Sequence, residues 1–477
     1  MNSLAALVPL LTVTAGGLLV LLVSVFVRKA ARPAVGYLAL LSLAAAGVAE
    51  VLLWGKNAFF FDGALRLHPT AVVLGLLLVL AGVLVVLMSL RFLASQGIEH
   101  GEYYGLLLFA IAGLMIMVSS FDLLPIFLGL EVFSVSAYGL AGLRKRDPKS
   151  GEAALKYFLT GSFASAFVVF GLAFIYGETG SLDLARIAAV SSDPGLSALG
   201  VVGAGLALIG FAYKVALVPF HMWAPDVYEG VPTPVAAFFA VAPKVAGFAV
   251  LFIFVAVVRP EGGPQGFLGV GLGAVIVLTI LLGNLAALRQ TNLKRLLAYS
   301  SIAHSGYLAL GVLAGAGAGV LFYLTAYILM NAGAFGVVIA VSRRDEAAAE
   351  LESFAGVGLR YPWLGAFFSI FLLSLAGFPP TAGFLGKFYV FSAAAERGYA
   401  GLVLVALLGT LISVYYYLRI IVVMYMRTPA AESAVDEDNP PLYLALFLCF
   451  ILVLQVGILP GNLLFFVRRA AEWFLSF

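Results

Sequence analysis

Cysteine, histidine and charge are all scarce in this sequence. Cys449 is the single cysteine, so no internal disulfide, four-cysteine iron–sulfur site or structural zinc set can form. The four histidines, His68, His100, His221 and His304, are too scattered for a bis-histidine haem. Only 11% of the 477 residues are charged, against about a quarter in soluble domains. The net charge of +3 is spread over short connections and apolar runs rather than one basic patch, so it is no sign of a nucleic-acid partner, and none is expected. Hydrophobic residues make up 63% of the chain. The sequence therefore reads as an all-α polytopic membrane protein whose partner is the lipid bilayer.

A bilayer core takes about 20 apolar residues per helix. On that ruler about fourteen spans are expected: 4–27, 34–54, 69–93, 103–119, 122–143, 152–176, 196–229, 233–258, 266–288, 294–314, 317–342, 362–397, 399–426 and 441–466. The first lacks a basic start and is too long for a signal peptide's apolar core. Two spans are interrupted. In the seventh, GFAYKVALVPFHMWAPDVYEGVPTPV, Pro219 follows Lys214; in the twelfth, GFPPTAGFLGK, Pro379 and Pro380 precede Lys387. Proline removes a helical hydrogen bond, and broken backbone at membrane depth survives only inside protein or beside a water-filled cavity. The GxGxG run at Gly269–Gly273 lies in an apolar stretch and reads as close helix packing, not a nucleotide loop.

Basic residues in the connections set the orientation. With the N-terminus outside, the inner connections hold Arg28, Lys29, Arg32, Arg91, Arg144, Lys145, Arg146, Lys149, Arg289, Lys294, Arg295, Arg343, Arg344, Arg360 and Arg427, a total of 15. The outer ones hold Lys56, Arg66, Arg186, Arg259, Arg397, Arg468 and Arg469, a total of 7. Both termini are thus expected outside, and the acidic run at 436–438 reads as a solvated linker on the inner side.

Subtracting these 22 from 27 basic residues leaves five within spans: Lys156, Lys214, Lys244, Lys387 and Arg419. Glu131 is the one carboxylate read near mid-span, and His304 lies at the centre of its helix. A charge at mid-bilayer costs about 2.5–3.5 kcal/mol on insertion scales, so the set costs on the order of 10 kcal/mol, comparable to a domain's net stability. The two breaks, five spans apart, each carry a lysine. An odd offset reverses helix direction, the mark of an inverted repeat. It pairs Glu131 with His304 and Lys244 with Arg419.

Each residue has two readings. Glu131 is a protonated packing group, or one half of a switchable ion pair with Lys214 that loads and unloads a proton. Lys244, behind Pro243, is too deep to snorkel and reads as a relay. Lys387 is a relay or is held by carbonyls freed at the break. Lys156, a few residues into its span, is a relay or snorkels to the inner interface. Arg419 cannot release a proton at useful pH and reads as a counter-charge or anchor. His304 is a hydrogen-bonded core residue or a carrier between lysines. His221 is an inlet group or structural.

The runs EAALKYFLTGSFASAF, YGETGSLDL, APKVAGFAVL, GNLAALRQTNLKRLLAYSSIAHSGY and LSLAGFPPTAGFLGKFYVF, with the Pro219 segment above, resemble the antiporter-like membrane subunits of respiratory complex I. The resemblance covers residues 100–427. It implies fourteen helices with two inverted five-helix repeats, divided as 1–99, 100–258, 259–427 and 428–477. It implies proton translocation without a cofactor in this chain, coupled to redox chemistry elsewhere. The family's functional positions fall on Glu131, Lys156, Lys214, Lys244, His304 and Lys387. Lys387 separates the chain from the kind with glutamate there, and the ending soon after span fourteen separates it from the kind with a long lateral helix. Implied partners are neighbouring antiporter-like and small hydrophobic subunits in a bacterial inner membrane. A multi-subunit cation/proton antiporter and a non-conducting scaffold are the rival expectations.

Overall fold

The computed structural model describes residues 6–26, 33–98, 101–193, 195–258, 267–342, 349–428 and 435–474. Arg28, Lys29, Arg32, His100, Arg259, Arg343 and Arg344, named above, lie outside them. After α1 (Val8–Phe26) and α2 (Pro33–Leu52), a short antiparallel hairpin, β1 (Ala58–Phe60) and β2 (Leu65–Leu67), leads into α3 (Pro69–Ser95). Next come α4 (Glu102–Ser119), α5 (Leu123–Ala141), α6 (Pro148–Thr179), α7 (Leu184–Ser192), α8 (Ala198–Lys214), α9 (Trp223–Gly230) and α10 (Thr233–Val258). The second half holds α11 (Phe267–Leu288), α12 (Leu293–Leu313), α13 (Gly317–Val341), the one-turn α14 (Val357–Arg360), α15 (Pro362–Ala376), α16 (Ala382–Glu396) and α17 (Ala400–Met426). The chain closes with α18 (Pro440–Ile458) and α19 (Gly461–Ala471). Among the described residues, twelve helices are long and apolar enough to cross a membrane.

Polar side chains start these helices. Asp122, Asp147, Asp183, Ser197, Asn292 and Asn439 accept from the first free N–H groups of α5, α6, α7, α8, α12 and α18, as N-caps do. Isolated bridges then tie one helix start to a distant loop, Asp122 to Asp183 and Asn292 to Glu350.

Helices without an amphipathic stripe associate through small residues rather than hydrophobic exclusion. At the α4–α5 crossing, a β-carbon on Gly113 would lie 2.6 Å from the Gly129 carbonyl oxygen, so the backbones touch. The α11–α12 crossing is as close, with Gly283 facing the Ala303 nitrogen at 2.7 Å. Helices α10, α12 and α13 are enclosed by protein on nearly every side, whereas α1, α17 and α18 leave most of their surface exposed. The centre of the molecule is therefore the seam of α10, α12 and α13.

Three expectations need correction. The last span does not run to 466: α18 stops at Ile458, where the LPGN sequence breaks the chain, and α19 starts anew with Phe465 and Phe466 exposed. The acidic run is not a free linker, because Asp436 is buried, its N–H donates to the Ala340 carbonyl at 2.9 Å, and Asn439 donates to its carboxylate at 2.9 Å. Nor is the Gly269–Gly273 run a packing seam: a β-carbon at Gly271 would meet nothing within 4 Å and one at Gly273 only Leu402, at 3.8 Å. The seam forms one helical stretch later, at Gly283.

Candidate functional site

The first break separates α8 from α9 over residues 215–222. Its backbone is satisfied by side chains from other helices. Val218 N–H donates to Thr279 Oγ1 at 3.0 Å, and the Val215 carbonyl accepts from Ser305 at 2.6 Å. Trp223 Nε1 donates to the Tyr213 carbonyl at 3.1 Å. The second break separates α15 from α16, with Gly377 at φ +93°, a conformation that favours glycine. Both breaks hold a cis bond before proline, Val218–Pro219 and Pro379–Pro380.

The exposures of Lys214, Lys244, His304 and Lys387 are 6%, 2%, 1% and 4%. None points to lipid. Lys214, the last residue of α8, donates to Ser134 Oγ on α5 at 2.7 Å. Glu131 lies one turn earlier on α5, half-buried, and accepts from Ser165 Oγ on α6 at 2.5 Å. The expected direct ion pair between Glu131 and Lys214 is therefore not formed. Two serines stand in its place, one on each charged group. A hydrogen bond to a charged group contributes roughly 1.5–3 kcal/mol, so each is held in place without the other.

Lys244, on α10, donates to the Ser301 carbonyl and Ser305 hydroxyl on α12, with its Nζ 5.4 Å from the centre of the Tyr327 ring. Tyr327 in turn donates to Ser301 Oγ at 2.8 Å. His304 packs against the Tyr327 ring of this group, 5.4 Å between ring centroids, but takes its hydrogen-bond contacts elsewhere. Its Nδ1 lies 2.7 Å from the Tyr323 hydroxyl and its Nε2 3.4 Å from that of Tyr417. Tyr416, the neighbour of Tyr417, donates to Asn284, which donates to the Tyr307 hydroxyl at 3.1 Å. The Tyr307 ring lies under Lys387 Nζ at 5.1 Å. Lys387 itself donates to the Leu375 and Ala376 carbonyls, both at 3.0 Å, the groups freed where α15 ends. The holding role weighed above is thus present in the resting geometry.

Other expected residues stand apart. Lys156 is 43% exposed and is paired with Glu152 at 2.7 Å and Asp226 at 2.8 Å. Asp226 also takes Arg295 at 2.8 Å, so Lys156 belongs to an ion cluster joining α6, α9 and α12, not to the buried row. Arg419 donates to the Leu288 and Gln290 carbonyls, closing the end of α11, an anchor's contacts. His221 is buried in the first break, and its Nδ1 has no hydrogen-bond partner among the described residues. Among those residues no cluster of three histidine, cysteine or acidic side chains could hold a metal.

Several polar residues were not singled out from sequence. Ser134, Ser165, Ser301 and Ser305 carry the contacts of the charged groups, and the YSSIAHSGY run was the available signal. Lys294, placed in a connection above, is 1% exposed and donates to the Val231 carbonyl at 2.7 Å. Glu50, on α2, is a second buried carboxyl.

Comparison with known proteins adds four findings. The family described as "NADH:quinone oxidoreductase/Mrp antiporter, TM" matches residues 120–413. The NADH-quinone oxidoreductase subunit N of Trichlorobacter lovleyi is 40% identical over 98% of this chain and 97% of its own length. Among solved structures, a chain of respiratory complex I from Thermus thermophilus matches with a TM-score of 0.82 and 36% identity, over 96% of this chain and 98% of that one. A chain of the Mrp complex from Dietzia matches with a TM-score of 0.85 but 22% identity, a likeness of fold alone.

Proposed function

The chain belongs to the family of antiporter-like membrane subunits shared by NADH:quinone oxidoreductases and Mrp antiporters, and from that membership we propose that it is the proton-translocating subunit N of a bacterial NADH-quinone oxidoreductase. The observation that carries this reading is the buried row of Lys214, Lys244, His304 and Lys387, with a hydroxyl bonded to each of the first three and the Tyr307 ring under the fourth. Hydroxyls both give and take a hydrogen, so they suit stepwise proton transfer where a fixed cation would not.

Protons enter from the inner side through the half holding Lys214, whose loading Glu131 controls. They cross through Lys244 and His304 to Lys387 and leave outward. His221 is an inlet group, Lys156 steers protons at the inner surface, and Arg419 is a fixed anchor at the end of α11. Twelve unbroken crossings plus the two broken ones, α8–α9 and α15–α16, make fourteen. The chain divides into a three-helix segment (1–99), two inverted five-helix repeats (100–258 and 259–427) and a closing segment (428–477). The matched bridges Asp122–Asp183 and Asn292–Glu350 and the matched α4–α5 and α11–α12 crossings support the repeat. Both termini lie outside, in the bacterial inner membrane. The partners are other membrane-arm subunits, no cofactor is bound by this chain, and the redox chemistry takes place elsewhere. The cation/proton antiporter alternative has fold likeness in its favour but lower identity.

The test is Lys214→Ala and Glu131→Ala in assembled complex sealed in vesicles. Both are expected to lower proton pumping. Unchanged quinone reduction with undiminished pumping would remove the assigned roles.

A further inference from the structure

Away from the row, α1, α2, α3, α4 and the hairpin line a partly open cavity of about 30 Å³. Its polar groups come from Glu50, Arg66 and Ser119, and its walls include Leu7, Phe60 and Met115. Glu50 sits near the end of α2 with 6% exposure. Its carboxyl takes no hydrogen bond or ion pair from any described residue. It presses against the backbone of α3 at Gly75, where a β-carbon would lie 2.3 Å from Oε1. Only a residue without a side chain leaves room for it there.

Arg66 is the one ionisable side chain facing Glu50 among the described residues; α1, α3 and α4 contribute apolar groups and Ser119. Arg66 is engaged elsewhere. Its Nε donates to the Gly63 carbonyl at 3.0 Å, its NH2 lies 3.6 Å from Asp183, and its guanidinium stacks over Phe121 at 4.4 Å. Among the described residues Glu50 therefore has neither a counter-ion nor a hydrogen-bond partner. An ionised carboxylate left so is among the costliest groups a protein can bury. Water is the remaining partner, and a site needs roughly 10–15 Å³ to hold one. This cavity has room for about two.

We propose that Glu50 and the water in this cavity form a proton-binding site, exchanging protons with the hairpin side of the membrane and separate from the lysine row. The ligand is a hydrated proton, not a metal cation, because Arg66 already supplies a positive charge at the wall. The side assigned to it, the outer one, rests on the orientation proposed above; the site itself does not.

Infrared spectroscopy of the assembled complex tests it, reading the carbonyl stretch of protonated carboxyl groups as bulk pH is cycled. A band that titrates reversibly and shifts in D2O is expected in the unmodified protein. Glu50→Gln should remove it, Glu50→Asp should keep a displaced band, and Gly75→Ala, which pushes the carboxyl out of its seat, should move it without removing it. Lys214→Ala should leave it in place. Should Glu50→Gln fail to assemble, Gly75→Ala and Glu50→Asp carry the same reading. A spectrum identical in all variants, or a band indifferent to pH, overturns the proposal. Neither result bears on the lysine row, which pumping measurements report separately.

Discussion

Lys244 offers the sharpest separation of a relay from a brace. Replace it by methionine, of similar length and no charge. The ammonium loses its contacts with Ser301 and Ser305, but Ser305 still donates its one hydrogen to the Val215 carbonyl. No buried hydroxyl is stranded, and swapping a buried ion for a packed apolar side chain is often neutral or stabilising. Assembly should therefore survive. Proton passage should not. Without the site, a charge must cross mid-membrane unaided, at about 2.5–3.5 kcal/mol on insertion scales. At 1.36 kcal/mol per decade, transfer through this subunit should slow by roughly 100-fold. Lys244→Arg keeps the charge and removes the ability to release it, so it should block transfer as well. The assay is NADH-driven acidification of sealed vesicles, with quinone reduction followed in parallel in uncoupled membranes. Full acidification in the methionine variant would refute the relay, and full acidification in the arginine variant would show that charge, not release, is what matters at this position.

Two further outcomes follow from the geometry. Lys156→Met removes solvent-screened ion pairs with Glu152 and Asp226, so pumping should fall far less than for Lys214→Met measured in the same vesicles. His68, just ahead of α3, is pushed down from 6.5 to about 4 by burial and then by Arg66. The unfolded chain binds the proton more readily, so stability is full above pH 6.5 and drains away as pH falls toward about 4. That gap is worth roughly 3 kcal/mol, and His68→Phe should flatten the pH dependence of thermal unfolding in that window.

The charged row was legible because an ion in an apolar run has few innocent explanations. Its surroundings were not. Serines in membrane helices routinely bond their own backbone four residues back, as Ser134 does to Leu130. Nothing in the sequence says which of them also reaches a lysine on another helix. The missing ion pair between Glu131 and Lys214 has that cause, since Ser134 and Ser165 are common residues in common places. Lys156 could have been read better, because Glu152 precedes it by four residues, the spacing of a surface pair. Glu50 lies two residues from the end of α2 and looks like an interface group until α3 is packed against it. Asp436 likewise looks solvated until Ala340 and Asn439 close over it. The fold was easier: proline breaks, glycine contacts and span lengths are local facts, whereas burial of a side chain near a helix end is decided by a distant segment.

Ser305 has a single hydrogen and too many claimants. It gives that hydrogen to the Val215 carbonyl, in the bend just past Lys214, while its oxygen receives Lys244. An emptied Lys244 becomes an acceptor and competes for the same hydrogen. One hydroxyl thus joins Lys244 to the backbone beside Lys214, a route by which a change of charge at the first can be felt at the second. Ser305→Ala would silence that exchange while leaving both lysines in place.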